Sequence, residues 1–137
     1  MYLIDTNIWL ELFLEQENRV QVRQFMETIE GQQLVISEFS LYSIGVILTQ
    51  RKKDDVFRDF VSDTIQDSGV GRARLEAKDY ARLLEIRKQF NLDFDDAYQY
   101  VAAEINHLEL ISFDHDFDHT PRGRKTPSQA LASMQTE

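Results

Sequence analysis

The apolar residues of this chain fall into short continuous runs and longer segments with helical spacing. Three short runs, at residues 2–4 (YLI), 34–37 (LVIS) and 108–113 (LELISF), have the length and composition of buried strands. Residues 70–74 (VGRAR) predict a further short strand at a sheet edge. The segments between these runs carry helical patterns.

Capping residues mark the start of the first and last predicted helices. Thr6 and Asn7 offer caps for a helix that follows the first strand. Thr126 is the predicted N-cap of the last helix, with Pro127 at the first helical position and Gln129 at the capping-box position. Other amphipathic segments predict helices over residues 20–30, 54–66, 76–90 and 93–107.

The segment after the second strand has apolar residues on more than one side. Ser40 is the predicted N-cap of a helix over residues 41–50, whose main apolar face has helical spacing. Val46 and Ile47 add apolar surface outside that face. We therefore expect this helix to be buried on more than one side.

The order of the elements is strand, helices, strand, helices, strand. Short apolar strands separated by helices indicate a parallel sheet covered on both faces. In such sheets, ligands bind beyond the carboxyl ends of the strands. The chain has 137 residues, the usual size of one domain, so we expect a single α/β domain over residues 1–137.

The charge and composition narrow the function classes. Asp and Glu number 24 and Lys and Arg number 15, giving a net charge of −9. This negative charge argues against a protein that coats nucleic acid without sequence preference. It does not argue against a nucleic-acid enzyme whose site holds cations. The absence of cysteine excludes disulfides and thiolate chemistry. No apolar stretch approaches the ~20 residues of a membrane span, and the start resembles no signal peptide, so we expect a cytoplasmic protein.

Acidic residues follow two predicted strands and open one predicted helix. Asp5 and Asp114 come directly after the first and third buried runs, and Asp116 lies two residues further on. Asp93 is a predicted N-cap, which places Asp96 in the first turn of the helix that leads into the last strand. Because the carboxyl ends of parallel strands meet at one edge, we expect one cluster of carboxylates: Asp5, Asp96, Asp114 and Asp116.

Each of these carboxylates has an ordinary explanation when it is taken alone. It could cap a helix, lie in an acidic turn or complement a helix dipole, which contributes roughly 0.3–1 kcal/mol. Four carboxylates at one edge would raise one another's pKa and cost stability unless a cation compensates them. Mg²⁺ or Mn²⁺ takes such oxygen ligands, and a divalent ion there would support phosphodiester hydrolysis.

Two other kinds of metal site do not fit this sequence. Residues 114–119 (DHDFDH) place aspartates at the first three ligand positions of a calcium loop. However, His119 stands where the loop needs glycine, and Lys125 stands where it needs a bidentate glutamate. His107, His115 and His119 lack the spacing of a helical zinc site. We therefore expect His115 and His119 to lie outside the metal site.

Three motifs resemble those of the PIN-domain family, and in particular its VapC-like toxin ribonucleases of toxin–antitoxin systems. They are YLIDTNIWLE, LDFDDAYQYVAAE and LISFDHDFD, in this order. The resemblance covers essentially the full chain. It implies a three-layer α/β/α sandwich with a central parallel sheet, and Mg²⁺- or Mn²⁺-dependent endonuclease activity on RNA. It also implies a possible homodimer and inhibition by a small antitoxin protein.

The resemblance implies a role for each acid by its position. Asp5, Asp96 and Asp114 would bind the ion. Asp116 would bind or orient a second ion or the attacking water. The polar positions that usually support the acids are matched by Asn7 and Ser112.

One position departs from the family pattern. The family usually has a glutamate early in the third helix, three residues after a Ser or Thr cap. With Ser40 as that cap, the matching residue is Ser43, and Glu38 lies before the cap. A hydroxyl is a neutral and weaker ligand than a carboxylate. We therefore expect Ser43 to play a supporting role, and the site to hold a metal less tightly.

Three classes of function remain open. In a ribonuclease, Arg122, Arg124 and Lys125 follow the acidic segment and could contact RNA phosphates. Ser43 and the negative net charge leave a PIN-like RNA- or partner-binding module, with weak or no catalysis, as the alternative. A phosphoryl-transfer domain is a third class. It fits less well, because Asn7 stands where a phosphatase needs its second aspartate and no lysine ends a predicted strand.

Overall fold

The fold is built on one sheet of four parallel strands. A computed structural model describes residues 1–135, and the last two positions of the expected domain, 136 and 137, lie outside the described residues. The strands are β1 (Tyr2–Ile4), β2 (Leu34–Ser37), β3 (Gly71–Ala73) and β4 (Glu109–Ile111). Their order across the sheet is β3-β2-β1-β4, and every neighbouring pair is parallel. The predicted buried runs and the predicted edge strand are thus confirmed.

Helices connect the strands and cover both faces of the sheet. The α-helices are α1 (Thr6–Phe13), α2 (Arg19–Thr28), α3 (Glu38–Gln50), α4 (Asp54–Asp59), α5 (Tyr80–Phe90), α6 (Phe94–Asn106) and α7 (Pro127–Gln135). A π-helical segment, Phe60–Asp67, continues α4. Short 3₁₀ turns occupy Gly31–Gln33, Ala77–Asp79 and His115–Phe117. No helix within residues 1–135 is long and apolar enough to cross a membrane, and the cytoplasmic location stays a prediction.

The alternation of side chains along the strands divides the core into two layers. Leu3 and Val35 lie on one face of the sheet and pack with the buried residues of α5 and α6. Ile4 and Ile36 lie on the opposite face and pack with those of α1, α2 and α3. Successive residues of a strand point to opposite faces, so each strand contributes to both layers. The structure is the three-layer α/β/α sandwich with a central parallel sheet that the sequence analysis expects.

The predicted cap is correct for the last helix, whereas the caps of α1 and α3 lie earlier in the sequence than predicted. In α7, the backbone N–H of Thr126 donates to Gln129 Oε1 at 2.9 Å, and the backbone N–H of Gln129 donates to Thr126 Oγ1 at 3.2 Å. This reciprocal pair is the predicted capping box. The prediction that Thr6 or Asn7 caps α1 is wrong, because Asp5 is the N-cap and its carboxylate accepts from the Thr6 N–H.

The prediction of Ser40 as the N-cap of α3 is also wrong. The N-cap is Ser37, at the end of β2, and its hydroxyl accepts from the backbone N–H of Ser40 at 3.0 Å. The helix follows the strand without a loop, so the earlier serine meets the free N–H groups of the first turn. Ser40 therefore lies inside the first turn, and its own hydroxyl is free to bond elsewhere.

One side of α3 is exposed. Leu41, Ile44 and Leu48 enter the core, whereas Val46 is 54% exposed and Tyr42 is 63% exposed. The expected burial of the side that carries Val46 is therefore wrong. Spacing places an apolar residue on a face of its helix, but only tertiary packing decides whether another element covers that face. The exposed side of α3 carries four apolar or aromatic side chains, which we call the α3 apolar face: Phe39, Tyr42, Val46 and Ile47.

Candidate active site

The carboxyl ends of β1 and β4 open onto a cleft of about 330 Å³. This is the edge of the sheet at which ligands bind in parallel α/β folds. The cleft is lined by residues from the strand ends and from α1, α3 and α6: Asp5, Thr6, Asn7, Leu10, Phe39, Ser43, Ile47, Asp95, Asp96, Gln99 and Asp114. Three of the four acids that the sequence analysis selects thus line one cleft.

Asp5 lies at the back of the cleft, where four donors hold its carboxylate. Oδ1 accepts from the backbone N–H of Thr6 at 2.8 Å and from Gln99 Nε2 at 2.9 Å. Oδ2 accepts from Ser112 Oγ at 2.7 Å and from Asn7 Nδ2 at 3.4 Å. Donors reach both oxygens of this carboxylate, so its orientation is set.

Asp96, Asp114 and Asp116 bring their carboxylate groups together at the mouth of the cleft. One oxygen of each lies within 4.8 Å of the others. Asp96 is buried in the first turn of α6, Asp114 is half-buried after β4, and Asp116 is exposed. The backbone N–H of Asp116 donates to Asp114 Oδ1 at 2.8 Å, which turns this segment back toward the cleft. Asp5 stands behind this group of three.

Burial and the crowding of carboxylates raise the pKa values of two acids in the cleft. Removal from water and the nearby charges of Asp114, Asp95 and Asp5 raise the pKa of Asp96 to about 8. Burial also raises the pKa of Asp5, although its hydrogen bonds, that from Gln99 first, act in the opposite direction. The protonated form of at least one carboxyl group is therefore favoured while no cation compensates the charge.

Ser112 and Asn7 tie the end of β1 to the end of β4. Ser112 Oγ donates to Asp5 and accepts from the backbone N–H of Asp114 at 3.0 Å and from Asn7 Nδ2 at 3.2 Å. Asn7 Oδ1 in turn accepts from the backbone N–H of Phe113 at 3.2 Å. Both side chains therefore contact the acids they are expected to support, although their role in catalysis stays a prediction.

Ser43 lies in the part of the cleft lining that α3 contributes. It comes one turn after Ser40 on α3, so the shift of the helix cap to Ser37 leaves its position facing the cleft. Glu38 lies outside the cleft lining, and one of its carboxylate oxygens accepts from the Tyr42 hydroxyl at 3.4 Å. The side of the cleft formed by α3 therefore carries a hydroxyl and no carboxylate.

The sequence profile of the PIN domain matches residues 2–123 of this chain. The chain belongs to the PIN-domain family. PIN domains are generally nucleases. No curated protein matches the sequence.

Solved structures of toxin–antitoxin proteins share the fold of this PIN domain. A chain of a toxin–antitoxin complex from Klebsiella pneumoniae is 24% identical, with a TM-score of 0.74 over 93% of this chain and 98% of its own. The toxin VapC20 from Mycobacterium tuberculosis, which cleaves the sarcin-ricin loop, is 14% identical, with a TM-score of 0.75 over 89% and 96%. FitAcB from Neisseria gonorrhoeae is 19% identical, with a TM-score of 0.73 over 93% and 99%. At these identities the likeness concerns the fold.

Three polar residues at or beside this PIN domain's cleft, Thr6, Ser40 and Gln99, were not predicted as site residues. Gln99 bonds to Asp5, and its Nε2 also donates to Ser40 Oγ at 2.7 Å. Ser40 Oγ lies 2.8 Å from Thr6 Oγ1 and bonds to it. One signal was available for Gln99, because it follows Asp96 by three residues on a helix face that is otherwise apolar. The sequence pattern predicts Ser40 and Thr6 as helix caps instead.

The basic residues after the acidic segment have structural partners. Arg122 donates to the carbonyl of Leu108 at 2.9 Å, and Lys125 pairs with Glu109 at 3.0 Å. Arg124 has a side chain that is only 9% exposed and pairs with Asp118 at 2.9 Å. Contacts between Arg122, Arg124 or Lys125 and RNA therefore stay a prediction.

The chemistry of the donors fits a hard divalent cation. Within residues 1–135, two groups could share an ion, namely the three acids at the mouth of the cleft and Asp93, Asp95 and Asp96 at the start of α6. Neither contains a histidine. Carboxylate oxygens are the ligands that Mg²⁺ and Mn²⁺ prefer. Burial and the neighbouring carboxylates raise the pKa of Asp96, and a cation would favour its charged form.

Proposed function

We propose that this PIN domain is a Mg²⁺- or Mn²⁺-dependent endoribonuclease that hydrolyses phosphodiester bonds of RNA, as the toxin of a toxin–antitoxin pair. The observation that carries the proposal is the meeting of Asp96, Asp114 and Asp116 in front of a fixed Asp5. Family membership and the toxin folds of the similar structures support it.

Each of the four acids has a proposed role at the cation. Asp5, Asp96 and Asp114 would bind the ion, and Asp116 would bind or orient a second ion or the attacking water. When bound, a divalent ion would neutralise charge on the phosphate and make a water molecule a better nucleophile. Asp5 positions the Asp114 segment through Ser112, and Asp116 is exposed, where it can orient the attacking water.

RNA is the proposed substrate, and one of its phosphates would lie at the mouth of the cleft. Arg122, Arg124 and Lys125 are proposed to contact phosphates further along the strand. Antitoxin binding or a homodimer would involve protein contacts, and the α3 apolar face, with Val46 more than half exposed, supports such a contact. Apolar area of this kind on a protein surface often marks an interaction site.

RNA cleavage with and without Mn²⁺ tests the proposed activity. The comparison uses wild-type protein, Asp96→Asn and Asp63→Asn, because Asp63 is an exposed acid outside the cleft and gives the same change of charge. We expect cleavage by the wild type and Asp63→Asn only in the presence of the ion, and loss of cleavage in Asp96→Asn. Cleavage by Asp96→Asn at the wild-type rate would contradict the assignment.

A second candidate is a PIN domain that binds RNA or a protein partner with weak or no catalysis. The neutral hydroxyl of Ser43 in the cleft favours it, since α3 contributes no carboxylate to the site. Calorimetry separates the two candidates. Failure to bind Mg²⁺ or Mn²⁺ at millimolar concentration, with RNA or partner binding retained, would favour the binding module.

A further inference from the structure

Gln99 is a polar side chain in the apolar layer between α6 and the sheet. It is 1% exposed, and the neighbouring positions of α6 that enter the core carry apolar residues such as Ala97 and Val101. Its Nε2 donates to Asp5 Oδ1 at 2.9 Å and to Ser40 Oγ at 2.7 Å. The side chain therefore links the end of β1 to α3 from a third element.

The other end of the carboxamide has no partner. Gln99 Oε1 is buried, and no described residue bonds to it. An unpaired buried oxygen destabilises a fold, and replacement by an apolar side chain removes that cost. Any stabilising effect of a glutamine at this position must therefore come from the two hydrogen bonds that its Nε2 donates, to Asp5 and to Ser40.

The two hydrogen bonds of Gln99 lie close to the residues that line the cleft. Gln99 lies three residues after Asp96 on α6, and Ser40 lies three residues before Ser43 on α3. Residues three apart lie on the same face of a helix. The bond between Gln99 and Ser40 therefore joins the two helices within one turn of Asp96 and Ser43, which line the cleft.

We propose that Gln99 is a positioning residue that fixes the Asp5 carboxylate and the spacing of α6 and α3, so that Asp96 meets Asp114 in the arrangement that binds the cation. The proposal rests on the cation site of the proposed function. Of the four donors to Asp5, Gln99 is the one that comes from α6, the helix that also carries Asp96.

Mn²⁺ affinity, measured by calorimetry, tests this role in a double-mutant cycle. Gln99→Met keeps the length of the side chain and removes the donor. We expect it to weaken Mn²⁺ binding by roughly 10–100-fold, the usual effect of losing a side chain that holds a metal ligand. In an Asp5→Asn background, the same change should alter the affinity by less than about threefold, because coupled residues are not additive.

The cycle distinguishes positioning from a general structural role. A loss of affinity of equal size in both backgrounds, or wild-type affinity in Gln99→Met, would overturn the proposal for Gln99 alone. A wild type that binds no Mn²⁺ at millimolar concentration would overturn the cation site itself, and with it the proposed function.

A measurement on the wild type does not depend on how a variant folds. The side-chain amide resonances of Gln99 should shift during a Mg²⁺ titration and follow the Kd from calorimetry. Those of Gln129, in the capping box of α7, should stay unchanged and provide the control. Gln99 resonances that stay fixed while Mg²⁺ binds would also overturn the proposal.

Discussion

The hydroxyl of Ser112 donates a 2.7 Å hydrogen bond to the carboxylate of Asp5, although 107 positions separate the two residues in sequence. The same hydroxyl accepts from the backbone N–H of Asp114 at 3.0 Å. One buried serine therefore sets the relation between the acid at the end of β1 and the acid after β4. Loss of this serine should therefore disturb the positions of both acids.

Ser112→Ala should destabilise the fold and weaken Mn²⁺ binding. The change leaves the buried Asp5 Oδ2 and the half-buried N–H of Asp114 without this partner, which costs about 1–3 kcal/mol in the free energy of unfolding. Urea unfolding and calorimetry measure the two effects. Ser128→Ala, at an exposed serine of α7, is the control and should change neither. Equal results for the two variants would refute this role of Ser112.

Ser43→Glu should increase Mn²⁺ affinity and RNA cleavage. The new carboxylate would extend into the cleft that Asp5, Asp96 and Asp114 line, and added ligand charge strengthens cation binding. We expect a gain of roughly tenfold, which corresponds to about 1.4 kcal/mol. Ser43→Gln has the same size without the charge and should show no such gain. A similar gain in both variants would mean that the added charge is not its cause.

The metal-free protein should become less stable as the pH rises toward 8. The pKa of Asp96 is raised from 3.8 to about 8 in the folded chain, so between these values the folded state holds a proton that the unfolded state has lost. This contribution to stability is complete below the unfolded pKa and is lost as the pH rises through the folded one. Urea unfolding at several pH values in the presence of EDTA measures how the free energy of unfolding changes with pH.

Asp96→Asn provides the comparison for this pH dependence. The variant has no carboxyl group to titrate at position 96, so its stability should decline less than that of the wild type over the same pH range. Asp63→Asn, which alters an exposed acid, should follow the wild type. Parallel curves for wild type and Asp96→Asn would rule out the raised pKa.

Mn²⁺ binding near pH 7 should release protons. A cation at the acidic group favours the charged form of Asp96, whose pKa in the metal-free protein lies above that pH. The apparent binding enthalpy should therefore change with the ionisation enthalpy of the buffer. Asp95→Asn removes another charged neighbour that raises the pKa of Asp96, and it should reduce the number of protons released. A binding enthalpy that is the same in all buffers would contradict the prediction.

Most of the fold and the acidic residues of the site were predictable from local patterns. YLI at residues 2–4 and LELISF at 108–113 are apolar runs that end beside acids, and such runs predict buried parallel strands whatever surrounds them. Asp5 and Asp114 follow these runs directly, so parallel pairing alone brings them to one edge of the sheet. The capping box of α7 was predictable for the same reason, because both of its bonds lie within four residues.

The sequence by itself thus determined the order of the elements, the parallel sheet and the edge at which the acids collect. Only the tertiary structure decided that Gln99 turns toward Asp5 and Ser40, and that Val46 stays exposed. Periodicity places a side chain on a face of its helix, whereas its partner depends on which distant element packs against that face. The contacts that complete the cleft cross up to 107 positions of sequence, and no local pattern carries that information.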